Sequence, residues 1–156
     1  MTRREETCPV PVLYTIGYEG ASLEGLIGAL QQAGVHTLVD IRERAQSRRP
    51  GFSKTALGKA LGAGGVAYRH LRALGTPPAV RKEYKLTHDF ISMRRGYLVH
   101  LAAQSGALDE LARMAALQPT VLLCYEADPA ACHRSLIAER LKELGLVSSV
   151  QDLYPL

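Results

Sequence analysis

The residues best suited to chemistry lie in one short stretch, Cys124-Tyr125-Glu126, followed after five residues by Cys132-His133-Arg134. The second triplet stands where a helix opens, behind an Ala127-Asp128-Pro129 turn. Unpaired backbone N–H groups and the helix dipole attract an anion there, and the Arg134 fork matches phosphate or carboxylate. The same field favours the thiolate of a first-turn cysteine. Cys132 has three readings: a nucleophile or redox thiol, a metal ligand with Cys124 and His133, or a small packing residue. The seven-residue gap between the two cysteines departs from structural zinc spacings and no fourth ligand stands out, so no metal is assigned. No cofactor follows either. His133 is suited to moving a proton near neutral pH, or to fixing a loop through a hydrogen bond. Glu126 is a candidate general acid or base, or the ion-pair partner of Arg134 or Arg42.

Other segments offer groups for binding. Asp40 and Arg42, two apart on a strand, face one side. They suit a ribose hydroxyl and a phosphate, or form a structural ion pair. Ser47-Arg48-Arg49-Pro50-Gly51-Phe52-Ser53-Lys54 is a basic loop with one aromatic, compatible with phosphate contacts and base stacking. Phe52 equally suits an anchor holding that loop to the core. Tyr68 and His70 end a short strand and face either a pocket or the core. Gly17-Tyr18-Glu19-Gly20 is a G-x-x-G turn, short of a dinucleotide or P-loop pattern.

The elements that must position these groups alternate. Val10 to Tyr18 reads as a buried strand, and Ser22 caps a helix with Leu23, Leu26, Ile27 and Leu30 on one face. Gly34 ends it. Val35 to Ile41 is a second strand, Ser53 caps a helix to Leu61, and Val66 to His70 is a short third strand. Leu71 to Leu86, with Gly75, Pro77 and Pro78, reads as irregular chain. Thr87 is expected to cap a helix carrying Phe90, Met93, Tyr97, Leu98 and Leu101, and Ala107 to Leu117 forms another. Thr120 to Tyr125 is an apolar run of the kind covered on both faces. Ala131 to Leu144 is a helix, and Val147 to Leu153 a last strand. This alternation predicts a three-layer α/β fold, a mainly parallel sheet with helices on both faces. Ligands of such sheets sit beyond the carboxyl ends of the strands. The polar residues named above fall there.

Composition limits the function classes. The chain has 156 residues, of which 47% are apolar and 22% charged, as in globular domains. It reads as residues 1–9 of flexible N-terminus and a single domain over 10–156, with no repeat or linker. No apolar run approaches the ~18–20 residues that span a bilayer. Three scattered cysteines and no signal-like N-terminus point to a reduced, cytoplasmic protein without a membrane partner. The net charge is +4, but it is unevenly spread. Between Arg42 and Arg95 stand thirteen Lys or Arg and three acids, a net +10, against −6 for the rest. Such asymmetry marks a face that meets an anion, or a solvated basic surface balanced elsewhere.

Several segments taken together resemble a known family. They are Thr15-Ile16-Gly17-Tyr18, Leu38-Val39-Asp40-Ile41-Arg42, Ser47 to Ser53, Tyr68-Arg69-His70-Leu71 with Leu74-Gly75, and the Cys124-x-Glu126…Cys132-His133-Arg134 element. The pattern is similar to the bacterial and archaeal family designated domain of unknown function 488, from about Tyr14 to Leu144. The resemblance implies an α/β domain with its polar motifs at one end of the sheet, and no particular reaction. Ala45 departs from the proline often found after the Asp-x-Arg element.

The expectation is a hydrolase or transferase acting on a phosphorylated small molecule or nucleic acid. Glu126, Cys132 and His133 are its candidate catalytic residues. Gly17, Tyr18, Asp40, Arg42, Ser47, Arg48, Tyr68, His70 and Arg134 are its candidate ligand-binding residues. A non-catalytic nucleic-acid-binding module and a thiol redox or metal-binding protein are the alternatives.

Overall fold

The computed structural model describes residues 11–156; the expected flexible N-terminus and the first residue of the expected opening strand lie outside them. Five strands form one parallel sheet: β1 (Val12–Gly17), β2 (Thr37–Asp40), β3 (Ala67–His70), β4 (Thr120–Cys124) and β5 (Ser149–Leu153). Their spatial order is β3-β2-β4-β1-β5. Six α-helices join them: α1 (Leu23–Gln32), α2 (Lys54–Ala63), α3 (Pro78–Thr87), α4 (Phe90–Ala102), α5 (Ser105–Leu117) and α6 (His133–Glu143). The three-layer α/β architecture read from the sequence is the one observed.

Alternate residues of the inner strands β1, β2 and β4 feed two separate cores. Ile16, Leu38, Val121 and Leu123 face α1 and α2, meeting Leu26, Leu30, Leu57 and Leu61. Leu13, Val39, Leu122 and Cys124 face α4, α5 and α6, meeting Tyr97, Leu111, Leu136 and Ile137. Every residue of β4 is buried, as its unbroken apolar run requires of a strand covered on both faces. Ser22 caps α1 as expected, accepting from the Gly25 N–H at 2.9 Å. Ser53 precedes α2 without a side-chain cap bond. Its hydroxyl instead accepts from the Ser47 N–H and donates to the Ser47 carbonyl, closing the basic loop.

The stretch expected to be irregular differs. After a short 3-10 turn at Arg72–Leu74, residues Pro78–Thr87 form a regular helix, with proline at its start. Proline suits the first turn of a helix because the N–H it lacks has no partner there. No residue of α3 is fully buried; Val80 and Tyr84, four apart, pack against the core, a stripe too short to outweigh the turn signals of Gly75, Pro77 and Pro78. Thr87 ends α3 rather than capping the next helix; Asp89 caps α4 and accepts from the Ser92 N–H.

Strand β4 lies between β1 and β2, and this insertion creates the site. In register, Gly17 stands opposite Cys124 and Asp40 opposite Leu123, so three loops leave the sheet side by side. The loop after β1 turns to α1 on one face, and the loop after β4 turns to α6 on the other. Adjacent strands whose connections diverge leave a crevice between them, where ligands of parallel sheets bind.

Candidate active site

A cavity of about 640 Å³ opens in that crevice. Its lining includes Tyr18 from the β1 loop, Arg42 from the β2 loop, Cys124 and Glu126 from the β4 loop, and Cys132 and His133 at the start of α6. Arg48 of the basic loop lines it as well. Four distant segments of sequence thus contribute polar groups to one concavity.

His133 is buried, and its Nε2 lies 2.8 Å from the Ile41 carbonyl oxygen. A carbonyl only accepts, so Nε2 carries the proton and Nδ1 presents a lone pair. That lone pair faces the Cys132 Sγ at 3.6 Å. Burial holds the imidazole pKa down at about 4, against the pull of the Ile41 carbonyl, so the ring is neutral at ordinary pH. Tyr97 packs its ring edgewise on His133, with centroids 5.2 Å apart. A neutral base in a fixed tautomer therefore stands beside the Cys132 sulfur.

Cys132 is the N-cap residue of α6, and its side chain meets that of Cys124 at the end of β4. The two Cα atoms are 7.4 Å apart, beyond the usual span of a disulfide. Glu126 is half-buried beside them. Burial raises its carboxyl pKa, with the Glu19 charge adding to the rise, while its own backbone N–H and the charge of Arg134 oppose it. Cys124, Cys132 and Glu126 each offer a ligand atom within 4.8 Å of the others. The His133 ring stands at the edge of this group, turned toward Ile41.

Arg134 does not line the cavity. It is wholly buried behind the floor, donating Nη1 to the Cys124 Sγ at 3.0 Å and to the Glu126 carbonyl, and Nη2 to the Ala127 carbonyl at 3.2 Å. It fastens the β4 loop to α6. Gly17 lies directly against this joint: a Cβ there would meet the Glu126 carbonyl oxygen at 1.8 Å. Only glycine lets the two chains approach so closely.

Asp40, Tyr68 and His70 brace the wall from outside. Arg42 grips Asp40 and also donates Nη1 to the Tyr18 hydroxyl at 3.1 Å and to the Phe52 carbonyl at 2.8 Å. Burial opposes the Arg42 charge, but hydrogen bonding and attraction from Asp40 outweigh it and raise the pKa above the ordinary arginine value. The Tyr68 hydroxyl donates to Asp40 at 2.6 Å, and His70 Nε2 donates to the Arg42 carbonyl at 2.7 Å. Phe52 is buried and stacks on Tyr18, the anchoring role rather than an exposed stacking platform. The loop's two arginines divide their work. Arg49 donates to the Tyr18 and Ala21 carbonyls and lies over the Phe52 ring, while the exposed Arg48 lines the cavity. Ser47 closes the loop through Ser53 and stays out of the lining.

The far wall comes from residues that sequence reading passed over: Glu43, Arg44, Arg81, Tyr84, Lys85 and His88. Arg81, Lys85 and His88 belong to α3 or its C-terminal cap, the segment read as irregular. The only signal for them was the cationic excess of residues 42–95. Glu43 pairs with Arg72 at 3.0 Å and Arg81 at 3.4 Å, leaving Arg44, Arg48 and Lys85 as cavity cations outside those pairs.

The fold and site together define a parallel three-layer α/β domain with a cation-walled pocket over the carboxyl ends of β1, β2 and β4. The chain belongs to the family described as Domain of unknown function DUF488, whose signature matches residues 22–141, most of its length. No curated protein and no solved structure matches it significantly. Among the described residues, no helix is long and apolar enough to cross a membrane.

Proposed function

We propose that the protein is an enzyme acting on a phosphorylated ligand of nucleotide size, bound in the pocket between the β1, β2 and β4 loops. One observation carries this reading: a single cavity has a carboxyl group, the Cys124 and Cys132 sulfurs and a neutral imidazole on its floor and Arg44, Arg48 and Lys85 on its walls. Its volume of about 640 Å³ suits a small molecule or the end of a single strand rather than a duplex. Tyr125, about half exposed, sets its ring edgewise to Tyr18 at 5.4 Å and offers a face to a base. The wall cations hold the phosphate. Glu126, Cys132 and His133 supply the chemistry, with His133 Nδ1 as the proton acceptor. The reaction class is hydrolysis or group transfer.

The test is turnover on a panel of nucleoside mono-, di- and triphosphates and short single-stranded oligonucleotides, for the wild type and Glu126→Gln. The expected result is turnover of at least one of these, reduced on the order of 10²-fold or more in the variant with folding unchanged. Oligonucleotide affinity that collapses with salt, ignores Glu126→Gln and comes without turnover indicates a binding module instead.

A further inference from the structure

The floor of the pocket holds three groups whose chemistry suits a metal ion. We infer that Cys124, Glu126 and Cys132 form a three-ligand site for a thiophilic divalent cation, zinc above all, with its remaining position open to the cavity. The site rests on the sulfur and carboxylate geometry and not on the phosphate; with the ion bound, Cys132 and Glu126 serve the reaction proposed above as its ligands and His133 remains the base.

Geometry supplies the first argument. The two Sγ atoms and a Glu126 oxygen lie within 4.8 Å of one another, and all three residues line the same cavity. An ion bound at about 2.3 Å to each sulfur in tetrahedral geometry would hold the sulfurs about 3.8 Å apart. The backbone spacing favours such a bridge over a covalent one. The Cys124 and Cys132 sulfurs touch, but across Cα atoms 7.4 Å apart, outside the usual disulfide range; in the reduced protein an ion seated between them parts the sulfurs and keeps this backbone.

Charge supplies the second. Arg134 is wholly buried, its hydrogen-bond acceptors are the Cys124 sulfur and two backbone carbonyls, and its Nε has no partner. None of these acceptors is a carboxylate; Asp152, Glu126 and Asp128 attract the guanidinium without bonding to it, and a buried charge held only at a distance is costly. Two thiolates and a carboxylate around a divalent cation leave one negative charge, which Arg134 neutralises from behind. The Arg134-to-Cys124 hydrogen bond is also the kind of outer contact that orients a metal's ligand.

Donor type supplies the third. Two sulfurs and one oxygen select zinc over magnesium or calcium. Three protein ligands with an open fourth position are the pattern of catalytic rather than structural zinc. The ion displaces the two thiol protons, and the carboxyl proton where Glu126 carries one, to water. His133 stays outside the ligand set, its Nδ1 left as a base beside the ion. The arrangement replaces the Cys124, Cys132, His133 set considered from sequence, with Glu126 in the third place.

The experiment titrates reduced, metal-free protein with cobalt(II) and then zinc(II), reading absorbance and metal per chain. The expected result is one cobalt per chain with a thiolate-to-cobalt charge-transfer band, bleached by one equivalent of zinc. Cys124→Ser and Cys132→Ser remove the band. Glu126→Gln, at a half-buried position suited to a soluble variant, keeps the band but weakens cobalt binding tenfold or more. The double variant R48A/K85A keeps both band and stoichiometry, which separates this site from the anion pocket. Absence of the band in reduced wild type overturns the inference, as does a band that survives both cysteine substitutions. Unchanged affinity in Glu126→Gln overturns the three-ligand assignment.

Discussion

Arg42 clasps Asp40 with both arms of its guanidinium, Nε to Oδ1 at 2.9 Å and Nη2 to Oδ2 at 2.7 Å, and both side chains are buried. The pair stands two residues apart at the end of β2, where strand geometry places both side chains on one side. Tyr68 occupies the remaining lone pair of Oδ2, and Arg42 reaches on to Tyr18 and Phe52. The loop after β1, the loop after β2 and strand β3 are thereby held from one buried ion pair.

Removing one partner leaves the other charge buried and alone. Asp40→Asn is therefore expected to destabilise the fold by about 3–5 kcal/mol, the usual effect of breaking a buried pair from one side. Urea unfolding of the variant checks this. A loss under 1 kcal/mol would show that water reaches Arg42.

Glycine substitutions separate close approach from open space. Gly17→Ala would drive a Cβ into the Glu126 carbonyl and the Arg134 guanidinium, at 1.8 and 2.6 Å. Overpacking of this kind costs about 1–3 kcal/mol or more, and here it also displaces Glu126 from the pocket floor. Gly106→Ala, in helix α5 with nothing within 4 Å, is expected to stabilise by up to about 1 kcal/mol. Melting temperatures of the two variants should move in opposite directions.

Stability should decline in alkali. Tyr97 is buried and donates to the Leu74 carbonyl at 2.6 Å; burial raises its pKa above the ordinary phenol value. Burial, then the neighbouring Asp40, raises that of Tyr68. Above about pH 10 the unfolded chain loses these protons while the folded chain keeps them. The unfolded state then binds fewer protons, so stability falls as pH climbs past that point. Denaturant unfolding from pH 8 to 11 should show this decline, shallower in Tyr97→Phe. Parallel curves for the two proteins would remove Tyr97 from the account.

The wall cations should act as a group on anions and not on the fold. Replacing Arg48 or Lys85 by alanine is expected to weaken pyrophosphate binding about tenfold each, the scale of one hydrogen bond to a charged group. Calorimetric titration at two salt concentrations checks both the loss and its screening. Equal affinity in wild type and R48A/K85A would place the anion elsewhere.

The elements that define the sheet were legible because burial forces their pattern. The β4 run Thr120–Cys124 is apolar throughout since both faces are covered, and the α1 stripe repeats every three to four residues since one face is. Helix α3 was hidden for a different reason: it rests half-exposed on the surface, and its short Val80–Tyr84 stripe stands behind Gly75, Pro77 and Pro78, which read as turn residues. The clustering of Tyr18, Arg42, Glu126, Cys132 and His133 followed from strand ends in a parallel sheet. Which arginine meets solvent and which is locked did not. Arg134 and Arg48 are the same residue type in similar polar stretches, and only packing sends one beneath the floor and the other into the cavity. The meeting of Cys124 with Cys132 was raised from sequence only within a metal set that included His133, because the true partner of the pair depends on where α6 starts relative to β4.

The central claim is that the crevice over β1, β2 and β4 receives an anion above the Cys132 and His133 pair. A crystal of the protein soaked with tungstate, whose anomalous scattering locates it without ambiguity, tests this most directly. The account predicts a tungstate peak inside the cavity within contact of Arg48 or Lys85 and facing Cys132, and its loss in R48A/K85A crystals. Tungstate bound on the outer basic surface with the cavity left to water would contradict it.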